Sequence, residues 1–159
     1  MRRADREISD IGEITAILDA CAVVRLGLMQ NGEPYIVPLN FAIEREGEKL
    51  VLYMHSALSG RKIDAITANP RVCFEADNLI EIKKDSLPCK WSAYYESVIG
   101  WGTAEILEDA DAARFAMELI LKRYGFAGDI AMDEDVLRRT ALIKLIVETV
   151  AGKANRPQN

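Results

Sequence analysis

The chain has 159 residues, 50% hydrophobic and 28% charged, the size and composition of one soluble globular domain rather than of a disordered chain. Lys and Arg number 20 against 25 Asp and Glu, and the net charge of −5 excludes nucleic-acid binding that relies on overall charge. The longest apolar runs, such as Leu50 to Met54, fall far short of the ~20 residues that span a bilayer, so no membrane partner is expected either.

Arg2 and Arg3 open the chain, but the polar residues after them form no signal-peptide core, and a cytoplasmic location is expected. Ser9 to Cys21 has helical periodicity, with Ile11, Ile14 and Leu18 on one face. Asp10 suits the N-cap, and Glu13 three residues later completes a capping box. From Ala22 the period changes: Val24, Leu26 and Leu28 alternate with Val23, Arg25 and Gly27, which predicts a strand. Asn31-Gly32 is a hairpin signal, since both residues tolerate the positive φ of a type I′ turn. A second strand is predicted from Tyr35 to Ile43, a polar turn over Glu44 to Glu48, and a third strand from Lys49 to His55.

The strand pattern breaks at Ser56 to Gly60. A short helix follows from Arg61 to Ala68, with Ile63 and Ile66 inward and Asn69-Pro70 stopping it. Arg71 to Glu75 and Leu79 to Lys83 look like two strands joined through Asp77-Asn78, and Lys84 to Glu96 like a polar and aromatic loop. Ser97 to Leu107 is a strand containing Gly100 and Gly102, which suggests a bulge or a close backbone approach to a ligand. A helix from Asp109 to Tyr124 carries Ala113, Ala116, Leu119 and Ile120 on one face, and Asp133 begins a shorter helix. Leu142 to Val150 is a last strand, and Ala151 to Asn159 reads as a frayed polar tail. Meandering strands with helices between them predict a mainly β, α+β domain, a small antiparallel barrel with flanking helices.

Three scattered cysteines, Cys21, Cys73 and Cys89, include no CxxC pair and support neither a disulfide framework nor a zinc site. They read as reduced, buried small hydrophobes, and with one histidine in the chain no metal is expected. The informative stretch is Tyr53 to Lys62. A strand ends there, small residues follow, and a helix opens with two adjacent cations at its electropositive end. An anion would offset that cost: a phosphate could accept the helix amides, the Ser59 hydroxyl and the charged hydrogen bonds of Arg61 and Lys62. The alternative is that both cations point into water. His55 is either a structural residue or, because an imidazole can carry and donate a proton, a hydrogen-bond partner or proton donor at a cofactor ring. Ser56 is adjacent to it, but neighbours on an extended chain face opposite ways, which argues against a nucleophile–base pair. Gly100-Trp101-Gly102 lacks the third glycine and the helix of a dinucleotide fingerprint.

Arg25-Leu26-Gly27-Leu28 with Pro34 to Phe41 resembles the first barrel strands of the pyridoxamine 5′-phosphate oxidase-like, FMN-binding split-barrel proteins. Leu52 to Ala57, Gly60-Arg61-Lys62, Asn69 to Glu75 and Tyr95 to Gly102 are similar to the 5-nitroimidazole resistance (Nim) branch, the likeness running from about Arg3 to Lys153. The resemblance implies one FMN-binding domain over residues 1–153, a polar tail over 154–159, and a homodimer with flavin mononucleotide (FMN) at the subunit interface. It places Val37, Pro38, Leu39 and Asn40 along the flavin ring, and His55 and Ser56 beside the ring or ribityl chain. Arg61 and Lys62 would hold the phosphate, and Ser97, Val98 and Gly100 would come from a neighbouring strand, of the partner subunit in one arrangement. The implied activity is a flavin-dependent reductase of small nitroaromatic molecules, with His55 orienting the substrate or supplying a proton. A non-catalytic flavin store or redox sensor, and a haem- or deazaflavin-binding relative, are alternatives on the same barrel. The end of the chain, Ala151 to Asn159, lacks the tryptophan- and arginine-rich segment of true pyridoxamine 5′-phosphate oxidases, which argues against that oxidase activity.

Overall fold

The computed structural model describes residues 4–157, so Arg2, Arg3 and the last tail positions Gln158 and Asn159 lie outside the described residues. After a two-residue strand β1 (Glu7–Ile8), Asp10 starts helix α1 (Ile11–Ala20) by accepting the Glu13 amide at 2.8 Å. Only half of the expected capping box forms. The Glu13 carboxylate pairs instead with Arg156 at 2.5 Å, and a charged partner outcompetes a neutral backbone amide. Ile11, Ile14, Ile17 and Leu18 of α1 are all buried in the main core.

Strands β2 (Val24–Gln30) and β3 (Glu33–Leu39) form the expected hairpin, with Asn31 at φ 53° and Gly32 at φ 79° in its two-residue turn. The predicted second strand does not run through to Ile43. It breaks at Asn40, and a new strand β4 (Phe41–Glu46) pairs with β5 (Lys49–Ala57) instead of with β2. Helix α2 (Arg61–Ala68) leads to β6 (Arg71–Lys83), which is one strand where two were expected. Asp77 and Asn78 stay in the ladder opposite Ser97 and Glu96, and the irregularity falls between Leu79 and Glu81. The predicted loop is also shorter, because β7 (Ser92–Ile106) already begins at Ser92. Helices α3 (Ala110–Arg123) and α4 (Glu134–Arg138) are capped by Asp109 and Asp133. The last strand, β8 (Thr140–Asn155), absorbs most of the supposed tail, since Ala151 to Asn155 find partners on β7.

All pairings are antiparallel, in the order β3-β2-β6-β7-β8-β5-β4, with β1 added to β8. The two edges of this path, β3 and β4, are consecutive in the chain and meet at Asn40, so the corner there carries the chain from one edge of the sheet to the other. Inside the wrap lies one core with Leu26, Phe41, Leu52, Met54, Phe74, Val98 and Leu145, each fully burying a side chain worth roughly 1.5–3 kcal/mol. Outside β4, β5 and β8, α3 and α4 bury Ala42, Tyr53 and Leu142 under Ala116, Ile120 and Leu137. Strand β5 is therefore buried on both faces, which explains its unbroken apolar run. The outer face of β3, β2, β6 and β7 is different: Ile36 (67%), Met29, Ile99 and Trp101 (44%) stand exposed.

Arg123 joins the C-terminal ends of α3 and α1. Its guanidinium donates to the Leu18 and Cys21 carbonyls at 2.7 and 3.0 Å, pairs with Asp19 at 2.6 Å and stacks 4.3 Å over Phe41. The Leu18 carbonyl also accepts the Cys21 amide at 3.1 Å, so the cation gives it a second donor, satisfies the Cys21 carbonyl just past the helix end and complements the helix dipole.

The cysteines do not share one environment. Cys21 is buried, Cys73 half-buried and Cys89 exposed, because the short 3-10 turn Pro88–Lys90 holds Cys89 on the surface. Burial pushes the Cys21 thiol up to about 11, and burial with the nearby Glu75 carboxylate raises Cys73. Thiolate is the reactive form, so a maleimide at about pH 8 should label Cys89 first, Cys73 slowly, and Cys21 only after unfolding. Mass spectrometry of the labelled chain checks this order, and early labelling of Cys21 would contradict its burial.

Candidate functional site

Strand β5 ends at Ala57, and Leu58, Ser59 and Gly60 turn the chain into α2. Gly60 has φ 124° and ψ 173°, a conformation essentially reserved for glycine, and an added Cβ there would meet nothing within 4 Å. The requirement is thus one of backbone and not of space. No side chain caps α2, although Arg61 and Lys62 occupy its first turn. Ala65 and Ile66 sink into the core and fix the direction in which the helix start points.

Each of the two cations has specific partners. Lys62 Nζ donates to Ser56 Oγ at 2.7 Å, and Ser56 is a buried polar residue, 9% exposed. Arg61 turns to the β2–β3 hairpin: its Nε donates to Gln30 Oε1 at 2.6 Å, and its Nη2 lies 3.9 Å from the Glu33 carboxylate. The same guanidinium sits 4.4 Å over the Tyr35 ring. Gln30, Glu33 and Tyr35 are absent from the sequence-based site, since nothing in local spacing connects a hairpin tip to a helix start some 30 positions later. Ser59 is exposed on the bend.

His55 pairs across the ladder with Leu142 and shares its face, the outer one, while Ser56 faces inward with Met54. The Nδ1 atom of His55 is buried and has no hydrogen-bond partner among the described residues. An orphaned buried nitrogen costs on the order of 1–3 kcal/mol, and a ligand group could satisfy it. Phe41 is opposite Met54, so the register brings Asn40 beside His55 at the corner where β3 gives way to β4. Of the other residues expected there, Pro38 is exposed on the outer face. Val37 and Leu39 point the other way and pack against the core.

The β7 residues lie elsewhere. Ser97 is opposite Lys153 of β8, whereas His55 is opposite Leu142. Eleven residues of β8 separate those partners, roughly 36 Å along an extended strand. Ser97 lines a 280 Å³ cleft with Glu7, Ile99, Trp101, Ala151 and Lys153. Val98 and Gly100 face inward: Val98 is fully buried, and Phe74 fills the space beside Gly100. The two strand glycines serve close packing and a bulge within the sheet, since the register shifts between Trp101 and Gly102. The bulge expected of these glycines is present, at Gly102. A further cleft of 480 Å³ lies at Asp19, Cys21, Arg123 and Tyr124, around the contacts that join α3 to α1 and apart from these residues.

The donor set at the start of α2 (a hydroxyl, an ammonium, a guanidinium and uncapped helix amides) has the chemistry to hold an oxyanion such as a phosphate group. Among the described residues no three His, Cys, Asp or Glu side chains are grouped to hold a metal ion, and no helix is long and apolar enough to cross a membrane.

The family model for pyridoxamine 5′-phosphate oxidase matches residues 10–154. None of the curated proteins matches the chain in sequence. Among solved structures it is similar to a candidate 5-nitroimidazole antibiotic resistance protein from Bacteroides thetaiotaomicron. The two are 28% identical with a TM-score of 0.79, over 92% of this chain and 85% of that one. An FAD and heme binding protein from Mycobacterium smegmatis is 20% identical with a TM-score of 0.80, over 97% of this chain and 76% of the other. An FAD-binding protein from Mesorhizobium loti is 24% identical with a TM-score of 0.67, over 94% and 97% of the two chains. The likeness to these last two is one of fold.

Proposed function

The chain belongs to the pyridoxamine 5′-phosphate oxidase family and has its split-barrel fold, and from that premise we propose that it binds FMN between two copies and acts as a flavin-dependent reductase of nitroaromatic compounds. The observation that carries this reading is the phosphate-type donor set of Ser56, Arg61 and Lys62 at the glycine-opened, uncapped start of α2. One such cluster with two cations suits the single phosphate of FMN. Ser59 adds a hydroxyl to it, while Asn40, Pro38 and His55 follow the outer side toward the ring.

A second copy enters this reading because Ser97 pairs with β8 eleven positions from the partner of His55, and the Ser97 of another copy would complete the flavin groove. The exposed Ile99 and Trp101 beside Ser97 supply apolar surface for that contact. Bound flavin supplies the hydride and electron chemistry. The protein's share is to hold the phosphate, exclude water from the ring, and deliver a proton to the substrate from His55. Nitroaromatics are the substrate class to test first, given the likeness to a candidate 5-nitroimidazole antibiotic resistance protein.

The purified protein should carry one FMN per chain and have a solution mass of two 17.7 kDa chains. With its flavin photoreduced and no excess reductant present, it should be reoxidised by a 5-nitroimidazole, and His55→Ala should slow that reoxidation about 10²- to 10⁴-fold while flavin stays bound. Fully loaded protein that leaves the nitro compound intact would sink the reductase reading and favour a flavin store. A haem spectrum would sink the flavin itself.

A further inference from the structure

Arg61 is held by residues from a different part of the chain. Gln30 and Glu33 flank the Asn31-Gly32 turn and are opposite each other in the ladder, and Tyr35 follows on β3. Gln30 accepts from the Nε edge of the guanidinium, and Tyr35 covers one face of the plane. Glu33 approaches Nη2 at 3.9 Å with its own side chain 80% exposed, a weak pairing that leaves that nitrogen able to change partners. An arginine bound along one edge and stacked on one face presents its remaining edge in a fixed direction, whereas an unheld arginine loses rotamer freedom when it binds.

We propose that the tip of the β2–β3 hairpin is part of the phosphate site: Gln30 and Tyr35 are positioning residues that fix the Arg61 guanidinium at the start of α2, and Glu33 is a resident carboxylate that the phosphate displaces. The inference rests on the reading that Arg61 binds the flavin phosphate, and it assigns three residues that α2 itself does not contain. It also gives each of the three a sign. Loss of Gln30 or of the Tyr35 ring frees the guanidinium and weakens phosphate binding. Loss of the Glu33 charge removes a competitor and strengthens it. A hairpin that merely stabilised the barrel would shift all three in one direction.

FMN and riboflavin differ by the phosphate alone, so the ratio of their affinities isolates it. Fluorescence titration of Gln30→Ala and Tyr35→Leu should show that ratio lowered about five- to tenfold, while Tyr35→Phe keeps it. Glu33→Gln should raise it about two- to threefold. Added to Arg61→Ala, the Gln30 and Tyr35 substitutions should change nothing further, because the group they position is gone. Thermal melts of each variant show that it is folded. If Arg61→Ala lowers the ratio while Gln30→Ala and Tyr35→Leu leave it at the wild-type value, the hairpin has no part in the site and the inference is overturned. If Arg61→Ala itself leaves the ratio unchanged, the phosphate reading beneath it fails instead.

Discussion

Replacing Arg61 and Lys62 together by Ala should weaken FMN binding about 10²- to 10³-fold and leave riboflavin binding nearly unchanged. Each residue would contribute one charge-assisted contact to a phosphate, worth roughly 1.5–3 kcal/mol, with Arg61 at the low end because its side chain is 49% exposed. Both substitutions are mild for the fold. Lys62 bonds the Ser56 hydroxyl, and removing it leaves a neutral hydroxyl rather than a buried charge. Arg61 lies on the surface between the hairpin and α2, and its loss exposes groups that water can reach. The effect should also be salt-dependent, falling as ionic strength screens the pair. Parallel titrations with FMN and riboflavin decide it: an equal loss for both ligands would mean that the substitutions damaged the barrel and that the phosphate lies elsewhere.

The phosphate-type cluster was readable in the sequence because it is local. Twelve positions, from His55 through Ile66, contain the strand end, the bend, the cations and the buried face that aims the helix. The hairpin turn was readable for the same reason, since Asn31 and Gly32 announce their own dihedrals. What pattern alone missed depends on partners distant in the chain. Alternation continues smoothly from Tyr35 to Ile43, and only the change of partner, from β2 to β5, breaks the strand at Asn40. Asp77 and Asn78 have the composition of a turn, yet Arg25 of β2 pairs with Asp77 at 2.5 Å and the ladder with β7 runs on. The end of β8 looked like a polar tail until its neighbours were known: Asn155 donates to the Ala93 carbonyl, and Arg156 reaches both Glu13 and Glu96. The hold of Gln30 and Tyr35 on Arg61 is equally non-local. Periodicity records which face of an element is apolar, and it does not record which other element will cover that face.

Gly102→Ala should cost about 3 kcal/mol or more. Gly102 lies at the register shift of β7 on β8, and an added Cβ would sit 2.1 Å from the Ile146 carbonyl oxygen and 2.9 Å from its carbon. Both obstacles are backbone, so no rotamer relieves them, and the two strands would have to separate at the place where the bulge bends the sheet. Gly27→Ala is the matching control, since its Cβ would meet the Cys73 carbonyl at 3.4 Å, an ordinary contact. That substitution should be nearly neutral, because the contact is tolerated and the unfolded chain loses freedom. For a chain of this length about 3 kcal/mol lowers the melting temperature by roughly 6–12 °C, well separated from the control. Equal melting of the two variants would mean that β7 and β8 can part without cost at Gly102.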